Sequence, residues 1–347
     1  MFEAVIALCL AGPAGPCRDV LLPGYEAPSE AACRADLSRH PPDMTGFVGL
    51  IPRGAARCTP VGEALEVQEI APGVFVHAGL VEEPDKTNRG DVSNLGFVIG
   101  ERSVAVIDSG SAAWVGESLW RTIRALTDLP VSHVILTHMH PDHVFGASMF
   151  ERAGAKVVGH ATLARALADR QDNYLESLAR LIGEAALIGT HAAEVSLPVA
   201  QETRLDLGGR SLNLRAWPPA HTGSDLTVLD ERTGTLFAGD LVFDAHTPAL
   251  DGSLIGWLAV LAEMQGMEIT RLVPGHGAAL LPWPEGGDAQ ARYLETLARD
   301  TRAAIAAGER LGDAVQHIAE TERAHWALFE AYNARNATVA FTELEWE

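Results

Sequence analysis

The side chains best suited to metal binding or catalysis in this chain are concentrated in one hexapeptide. Its sequence is His138-Met139-His140-Pro141-Asp142-His143. The hexapeptide follows the apolar run Val134–Thr137, which predicts a buried strand that ends in a loop. Imidazole nitrogens and carboxylate oxygens are ligands that suit zinc, and also manganese or iron. In a strand-exit loop, His138 and His140 can project to one side while Asp142 and His143 turn toward another, so the hexapeptide predicts ligands for two metal ions.

Three later residues are predicted to complete such a site, because one loop cannot surround two ions. His221 follows the alternating run Leu212–Trp217, Asp240 follows two small residues, and His276 lies between two glycines. Each position is predicted to lie at a boundary between a strand and a loop. Taken alone, a loop histidine or an aspartate after glycine is common; their order after the hexapeptide favours a shared metal centre.

The order and spacing of these motifs resemble the metallo-β-lactamase superfamily, and within it the dinuclear hydrolase branch that includes glyoxalase II. The resemblance covers about residues 66 to 280. The motifs that carry it are Thr137-His138-Met139-His140-Pro141-Asp142-His143, Ala220-His221-Thr222, Phe237-Ala238-Gly239-Asp240, Pro274-Gly275-His276-Gly277 and Val106-Ile107-Asp108-Ser109-Gly110.

The resemblance implies a role for each matching residue. It implies that the first metal is bound by His138, His140 and His221, the second by Asp142, His143 and His276, and both by a bridging Asp240. Asp108 is implied to orient ligands by hydrogen bonding. The implied cofactor is two Zn²⁺ per chain, with iron or manganese as substitutes. Two such ions can hold a hydroxide between them and lower the pKa of water from about 15.7 toward about 7. Asp142 and Asp240 are then the candidate catalytic residues.

Residue types separate several branches of the superfamily. Flavodiiron oxygen reductases place glutamate where this chain has His140, and true metallo-β-lactamases generally lack a bridging aspartate at the position of Asp240. The main prediction is therefore hydrolysis of a small ester, thioester, lactone or lactam. The alternative is an oxidoreductase like the persulfide dioxygenases, which bind one iron with part of the same ligand set. Phosphodiesterases and ribonucleases of the superfamily share all seven ligands and are less favoured.

Charge favours a small-molecule substrate over nucleic acid. The chain has 26 Lys plus Arg against 46 Asp plus Glu, a formal net charge of −20, and no two basic residues are adjacent. Binding to a phosphate backbone depends on clustered cations, which this sequence lacks. Since no stretch approaches the roughly 20 apolar residues that cross a bilayer, no membrane span is predicted.

The alternation of strand and helix patterns predicts an α/β fold. The resemblance specifies it as a four-layer αββα sandwich, with two mixed sheets face to face, helices outside and the metals at one edge. The predicted strands are Val74–His77, Leu95–Ile99, Val104–Ile107, His133–Thr137, Lys156–Val158, Leu212–Trp217, Leu226–Leu229, Thr235–Phe237 and Arg271–Val273. The predicted helices are Ala112–Thr127, Leu163–Ala168, Tyr174–Leu187, Leu254–Met264, Ala289–Ala307 and Gly312–Asn333.

Three units are predicted along the chain. Residues 1–64 form an N-terminal module that holds all four cysteines, Cys9, Cys17, Cys33 and Cys58. Their concentration predicts two disulfides, and three pairings are open. Residues 65–285 form the catalytic domain, with a helical insertion at 161–201 that either shapes the substrate pocket or covers a sheet face. Residues 286–347 form a C-terminal helical extension, whose amphipathic end is predicted to dock on the protein or on a second subunit of a homodimer.

A narrower group within the superfamily resembles the whole chain. It comprises periplasmic zinc metallohydrolases associated with quinoprotein and sulfur-oxidation systems. The resemblance rests on Asn88-Arg89-Gly90-Asp91, His143-Val144-Phe145-Gly146, Ala220-His221-Thr222 and Leu250-Asp251-Gly252-Ser253. It implies a periplasmic location. Because no Lys or Arg precedes Arg18, the apolar segment Met1–Pro16 is not typical of a signal peptide, and a cytoplasmic location stays open.

Overall fold

A seven-stranded mixed sheet carries the first half of the metal motifs. The computed structural model describes residues 1–12 and 15–347; Pro13 and Ala14, within the apolar Met1–Pro16 segment, lie outside the described residues. The strands of this sheet are β5 (Gln68–Ala71), β6 (Val74–His77), β7 (Leu95–Ile99), β8 (Val104–Ile107), β9 (Val131–Leu136), β10 (Lys156–His160) and β11 (Leu197–Val199). They lie in sequence order; β5 to β8 pair antiparallel and β8 to β11 pair parallel.

A six-stranded sheet carries the remaining motifs. Its strands, also in sequence order, are β12 (Glu202–Asp206), β13 (Ser211–Ala216), β14 (Leu226–Asp230), β15 (Thr235–Phe243), β16 (Arg271–His276) and β17 (Leu281–Pro282). Neighbouring strands pair antiparallel except β15 and β16, which are parallel.

The two sheets pack face to face, and helices cover their outer faces. In β9, Ile135 packs between the sheets against residues such as Val228 and Phe237, whereas Val134 and Leu136 belong to the outer cluster. This alternation follows from the two-residue period of a strand. The helices are α1 (Glu30–Arg39), α2 (Ala113–Leu126), α3 (Pro141–Val144), α4 (Ala147–Arg152), α5 (Leu163–Ile182), α6 (Leu254–Gln265), α7 (Asp288–Ala306), α8 (Leu311–Ala314) and α9 (Phe329–Leu344).

The predicted four-layer αββα architecture is confirmed. Helices α2, α4 and α5 pack on the outer face of the seven-stranded sheet, and α6, α7 and α9 pack on that of the six-stranded sheet. The C-terminal helices predicted to pack on the body do so, and Glu343 of α9 accepts hydrogen bonds from Ser253 Oγ and Leu254 N at the start of α6. No described helix is both long and apolar enough to cross a membrane.

The N-terminal segment forms a separate small sheet with one helix. Its strands are β1 (Phe2–Cys9), β2 (Cys17–Ala27), β3 (Ile51–Pro52) and β4 (Arg57–Pro60). Two disulfides are present, as predicted, and they select one of the three pairings: Cys9–Cys17 joins β1 to β2, and Cys33–Cys58 joins α1 to β4. Buried ion pairs attach this sheet to α2, since Arg18 binds Glu117 and Arg121 of α2 binds Glu3.

Three predicted helices differ from those in the structure. The predicted helix Gly312–Asn333 is broken, because Ala319 and Leu328 adopt left-handed backbone angles with φ of 58° and 59°. The interrupted segment passes beside the loop after β15, where Ala327 N donates to Ala245 O and Thr247 N donates to Ala327 O. The two helices predicted at 163–168 and 174–187 are instead the single helix α5, followed by a short 3₁₀ turn at Glu184–Leu187.

Candidate metal centre

The hexapeptide lies at the carboxyl end of β9, but it is not the loop that the sequence predicted. His138 and His140 follow the strand directly, whereas Asp142 and His143 lie on the short helix α3. Pro141 is the first residue of that helix, a position that proline favours because its missing N–H has no helical partner there. The change from strand to helix within this segment separates the two pairs of side chains.

Asp240 lies inside a strand, which corrects the prediction that it lies at a strand end. The prediction stopped the strand at Phe237, but β15 continues to Phe243 with irregular register around Gly239. Gly239 has φ of 52°, and a Cβ there would fall 2.5 Å from Thr137 Oγ1. A Cβ on Gly275 would fall 1.9 Å from Asp240 Oδ1. The missing Cβ of Gly275 therefore leaves room for the Asp240 carboxylate, and the missing Cβ of Gly239 leaves room for Thr137.

All seven predicted ligands come together in two adjacent groups. His138, His140, His221 and Asp240 offer donor atoms within 4.8 Å of one another, and so do Asp142, His143 and His276. Asp240 contacts both groups. Its Oδ1 lies 3.1 Å from His143 Nε2, and its Oδ2 lies 3.4 Å from His221 Nε2 and 3.5 Å from His276 Nε2. This is the position that a carboxylate shared by two ions would occupy.

Each imidazole in the two groups is held by a neighbour at its outer nitrogen. The contacts are His138 Nδ1 with Thr137 Oγ1 at 3.0 Å, His140 Nε2 with Asp251 Oδ2 at 3.3 Å, His143 Nδ1 with Asp108 Oδ2 at 2.8 Å, His221 Nδ1 with Ala249 O at 2.5 Å and His276 Nδ1 with Val92 O at 2.9 Å. An N–H donated outward leaves the other ring nitrogen with a lone pair that faces the site. Metal-binding histidines are typically oriented in this way.

The donor set fits divalent cations. His138 Nε2 is buried and has no hydrogen-bond partner among the described residues, which is costly for a polar atom unless a ligand satisfies it. Five imidazoles and two carboxylates are the borderline nitrogen and oxygen ligands that zinc, iron and manganese accept.

Asp108 orients Thr137 and His143 through hydrogen bonds. Its Oδ1 accepts a hydrogen bond from Thr137 N at 2.8 Å, and its Oδ2 accepts from Thr137 Oγ1 and His143 Nδ1, both at 2.8 Å. Asp108 has φ of 56°, a left-handed conformation that aspartate and asparagine tolerate better than most residues. The buried carboxylate thus fixes the end of β9 and the ring of His143 together.

In this site, burial and the neighbouring carboxylates shift the pKa values of the histidines in opposite directions. Burial lowers the pKa of His221 to about 3, so its imidazole is neutral and able to bind a metal. Burial also disfavours the charged form of His276, but the carboxylates of Asp240 and Asp142 outweigh it and raise the pKa to about 9. Cations that bind at this second group must therefore displace protons.

A cavity of about 300 Å³ opens onto the two groups. Its lining residues are Glu82, Glu83, Pro84, Val92, His140, Pro141, Asp142, Arg170, Tyr174, Ser177, Leu178, Leu181, Asp240, Phe243, His246, Ala249, His276, Tyr332 and Arg335. The volume lies at the lower end of the range for small-molecule sites. Helix α5 of the insertion and α9 of the C-terminal extension both contribute walls. The position of α5 matches both interpretations of the insertion, because the helix lines the cavity and also packs on the outer face of the seven-stranded sheet. Leu178 also packs in the outer core cluster.

Other residues near the metal motifs have structural contacts. Asp225 accepts hydrogen bonds from Thr222 N and Oγ1 and so supports the loop that carries His221; burial raises its pKa to about 7. Asp244 accepts from Ala278 N at 3.0 Å. His246 is buried, packs against His276 with ring centroids 4.9 Å apart, and lines the cavity.

Sequence reasoning missed the contributions of Asp251, Tyr332 and Arg335 to the site. Asp251 belonged to a motif without an assigned role, although it contacts the outer nitrogen of His140. Tyr332 and Arg335 lay at and beyond the end of a wrongly placed helix. No local signal marked them, because their proximity to the metal groups depends on how the C-terminal chain folds back.

Comparisons with known proteins place the chain in a family. The family described as metallo-beta-lactamase superfamily (Lactamase_B) matches residues 88–276. A curated relative, bovine acyl-coenzyme A thioesterase MBLAC2, is 30% identical over 188 residues, which are 49% of this chain and 62% of that protein. The chain therefore spans less than two thirds of this relative.

Solved structures show the same fold. A metallo-beta-lactamase from Pontibacter korlensis aligns with a TM-score of 0.55 and 22% identity over 67% of this chain and 99% of that chain. A metallo-beta-lactamase family protein from Thermus thermophilus aligns with a TM-score of 0.59 and 18% identity over 79% and 93% of the two chains. With the family match extending over more than half of its residues, this chain belongs to the metallo-β-lactamase superfamily.

Proposed function

We propose that this protein is a dinuclear zinc hydrolase that cleaves small thioesters or esters. The superfamily and the paired histidine and aspartate groups support metal-dependent hydrolysis in general. The observation that carries the finer proposal is the position of Asp240, which contacts donor atoms of both groups. A site for one ion would not need a carboxylate shared in this way.

The chain's own residues have distinct roles in this proposal. His138, His140 and His221 hold the first ion, Asp142, His143 and His276 hold the second, and Asp240 fixes the spacing between them. When bound, two such ions lower the pKa of water and polarise a carbonyl oxygen. Asp142 is the best-placed proton acceptor, because its carboxylate is partly exposed and lines the cavity.

Thioesters are the preferred substrate class within the proposal. The bovine relative is named as an acyl-coenzyme A thioesterase and is 30% identical to this chain over 188 residues. In the reaction, the oxygen of water bonds to the carbonyl carbon and the carbon–sulfur bond breaks. The sulfur leaves with the electron pair and takes a proton, so the products are a carboxylic acid and a thiol. The buried side chains of Val92 and Phe243 line the same cavity.

The proposal is tested by turnover of thioester, aryl-ester and lactone substrates by metal-loaded protein. Asp240→Ala should abolish most hydrolysis of whichever substrate the wild type cleaves. His317→Gln is the matched control, because His317 is exposed and contacts Glu309 outside the site. Absence of hydrolysis by the wild type, together with oxidation of a persulfide, would indicate that the protein is a dioxygenase and contradict the proposed hydrolase. Efficient, salt-sensitive cleavage of single-stranded RNA would overturn the small-molecule substrate.

Location and organisation belong to the same proposal. Two disulfides in the N-terminal sheet suit an oxidising compartment, and we propose the periplasm. We also propose three units: an N-terminal module at residues 1–64, a catalytic domain at 65–285 with its insertion at 161–201, and a helical extension at 286–347. Limited proteolysis, with mass analysis of the fragments, tests these boundaries.

A further inference from the structure

The cavity above the metal groups has one wall with two guanidinium groups. Arg170 comes from α5 and Arg335 from α9, and both line the cavity. Among the described residues that line the cavity they are the only Lys or Arg side chains, in a chain whose formal net charge is −20. Two cations from two different helices therefore meet at the mouth of one pocket in an otherwise acidic protein.

One carboxylate lies between the two guanidinium groups. Asp251 Oδ2 accepts a hydrogen bond from Arg170 Nη1 at 2.5 Å, and its Oδ1 lies 3.7 Å from Arg335 Nη2. The same Asp251 contacts the outer nitrogen of His140 at 3.3 Å. With one negative charge for two positive charges, this wall keeps a surplus positive charge close to the first metal group.

Arg335 is the side chain that is free to bind a ligand. It makes no hydrogen bond with any described residue, and 59% of its side chain is exposed at the pocket mouth. Arg170, in contrast, is engaged by Asp251 and by Tyr174. A guanidinium offers a planar fork of N–H donors whose geometry matches a carboxylate.

Acidic residues also line the cavity, but they have partners. Glu82 accepts a hydrogen bond from Asn88 Nδ2 at 3.3 Å, and Glu83 lies close enough to Tyr332 to raise the pKa of its hydroxyl. Both glutamates are exposed, as is Arg335, so solvent screens all three charges, and recognition of a carboxylate depends on direct hydrogen bonds from the guanidinium. Leu178 and Leu181 also line the cavity and give it an apolar side that suits methylene groups.

We propose that Arg335, supported by Arg170, binds a carboxylate on the substrate, so that the pocket selects acyl groups with an anionic terminus. The inference rests on the proposed function, because it places the scissile carbonyl at the metal groups. It assigns to Arg335 the role of a specificity residue and to Asp251 the role of positioning Arg170.

Matched thioesters of one neutral thiol, N-acetylcysteamine, test the inference. Succinyl, glutaryl and adipoyl thioesters are each compared with the uncharged acyl thioester of the same chain length, and thiol release is followed. The wild type should show a kcat/KM at least about tenfold higher for one or more of the anionic acyl groups. Arg335→Met should remove that preference through KM. Arg180→Met is the control on α5, because Arg180 pairs with Glu176 outside the cavity; it should keep the preference.

A binding measurement makes the test independent of turnover. Calorimetry on metal-loaded protein should show that glutarate binds more tightly than pentanoate, and that Arg335→Met equalises the two. Equal binding of the two acids by the wild type would overturn the inference, as would a preference for neutral or amino-substituted acyl groups. Hydrolysis of charged and uncharged thioesters at equal rates would overturn the inference and leave the proposed hydrolase intact. Tight binding of glutarate without any hydrolysis would support the carboxylate subsite and contradict the proposed hydrolase.

Discussion

Replacing Asp108 by Asn should weaken metal binding while leaving the fold intact. The substitution keeps the shape of the side chain, and asparagine tolerates the left-handed φ of 56° at this position. The carboxylate accepts three hydrogen bonds at 2.8 Å, of which two reach Oδ2. An amide has only one acceptor oxygen. Whichever way it is oriented, an NH₂ group faces either the Thr137 backbone N–H or the N–H of His143.

The orientation in which the NH₂ group faces the N–H of His143 lowers the affinity for metal directly. To avoid an N–H facing an N–H, His143 must move its proton to Nε2, the nitrogen that faces Asp142 and Asp240. Losing one hydrogen bond to a charged group costs about 1.5–3 kcal/mol, and losing a ligand's outer hydrogen-bond partner typically weakens metal binding by about 10–100-fold. We expect a loss of this size for the second metal and a smaller one for the first.

Competition between the protein and a chromophoric chelator measures both affinities. Asp206→Asn is the control, because Asp206 is an exposed partner of Arg102 in the edge strand β12, outside the two metal groups. Unchanged affinity for both ions in Asp108→Asn, with an unchanged thermal midpoint, would refute the role given to Asp108. Equal loss for both ions together with a lower midpoint would instead indicate general destabilisation.

Three further predictions follow from contacts outside the ligands themselves. Gly275→Ala should disrupt metal binding, because the new Cβ would fall 1.9 Å from Asp240 Oδ1, whereas Gly312→Ala meets nothing within 4 Å; metal content of the two variants decides. Free-thiol titration of denatured, unreduced protein should find no thiols, since all four cysteines are paired, and four reactive thiols would remove the disulfides. Arg18→Met should lower the free energy of unfolding by about 3 kcal/mol, because it leaves buried Glu117 without its partner. Arg34→Met, at an exposed pair, should cost under about 1 kcal/mol, and equal urea midpoints for both variants would contradict this.

Where local pattern and tertiary structure agree, the sequence was informative. The strands at Val74–His77, Leu95–Ile99 and Val104–Ile107 lie where β-branched and apolar runs predicted them. The family motifs predicted which seven side chains would meet, although these side chains are spread along the chain from residue 138 to residue 276.

The errors have a common physical origin in long-range contacts. The helical periodicity of the sequence continues through Ala319 and Leu328, yet the chain turns at both residues. Ala327 forms an isolated β-bridge with His246. The strand that carries Asp240 ran past its predicted end, because pairing with β16 holds residues that are not typical of strands. Arg335 became a pocket residue only through that same C-terminal path. Neither propensity nor spacing contains this information.

The number of metal ions bound per chain tests the central claim most directly. Protein purified without chelators should contain two zinc ions per chain by elemental analysis, and Asp240→Ala should retain one or none, because the shared carboxylate fixes the spacing between the two groups. A His317→Gln control should keep both ions. One iron and no zinc in the wild type, or two ions and full turnover in Asp240→Ala, would contradict the dinuclear centre proposed for this protein.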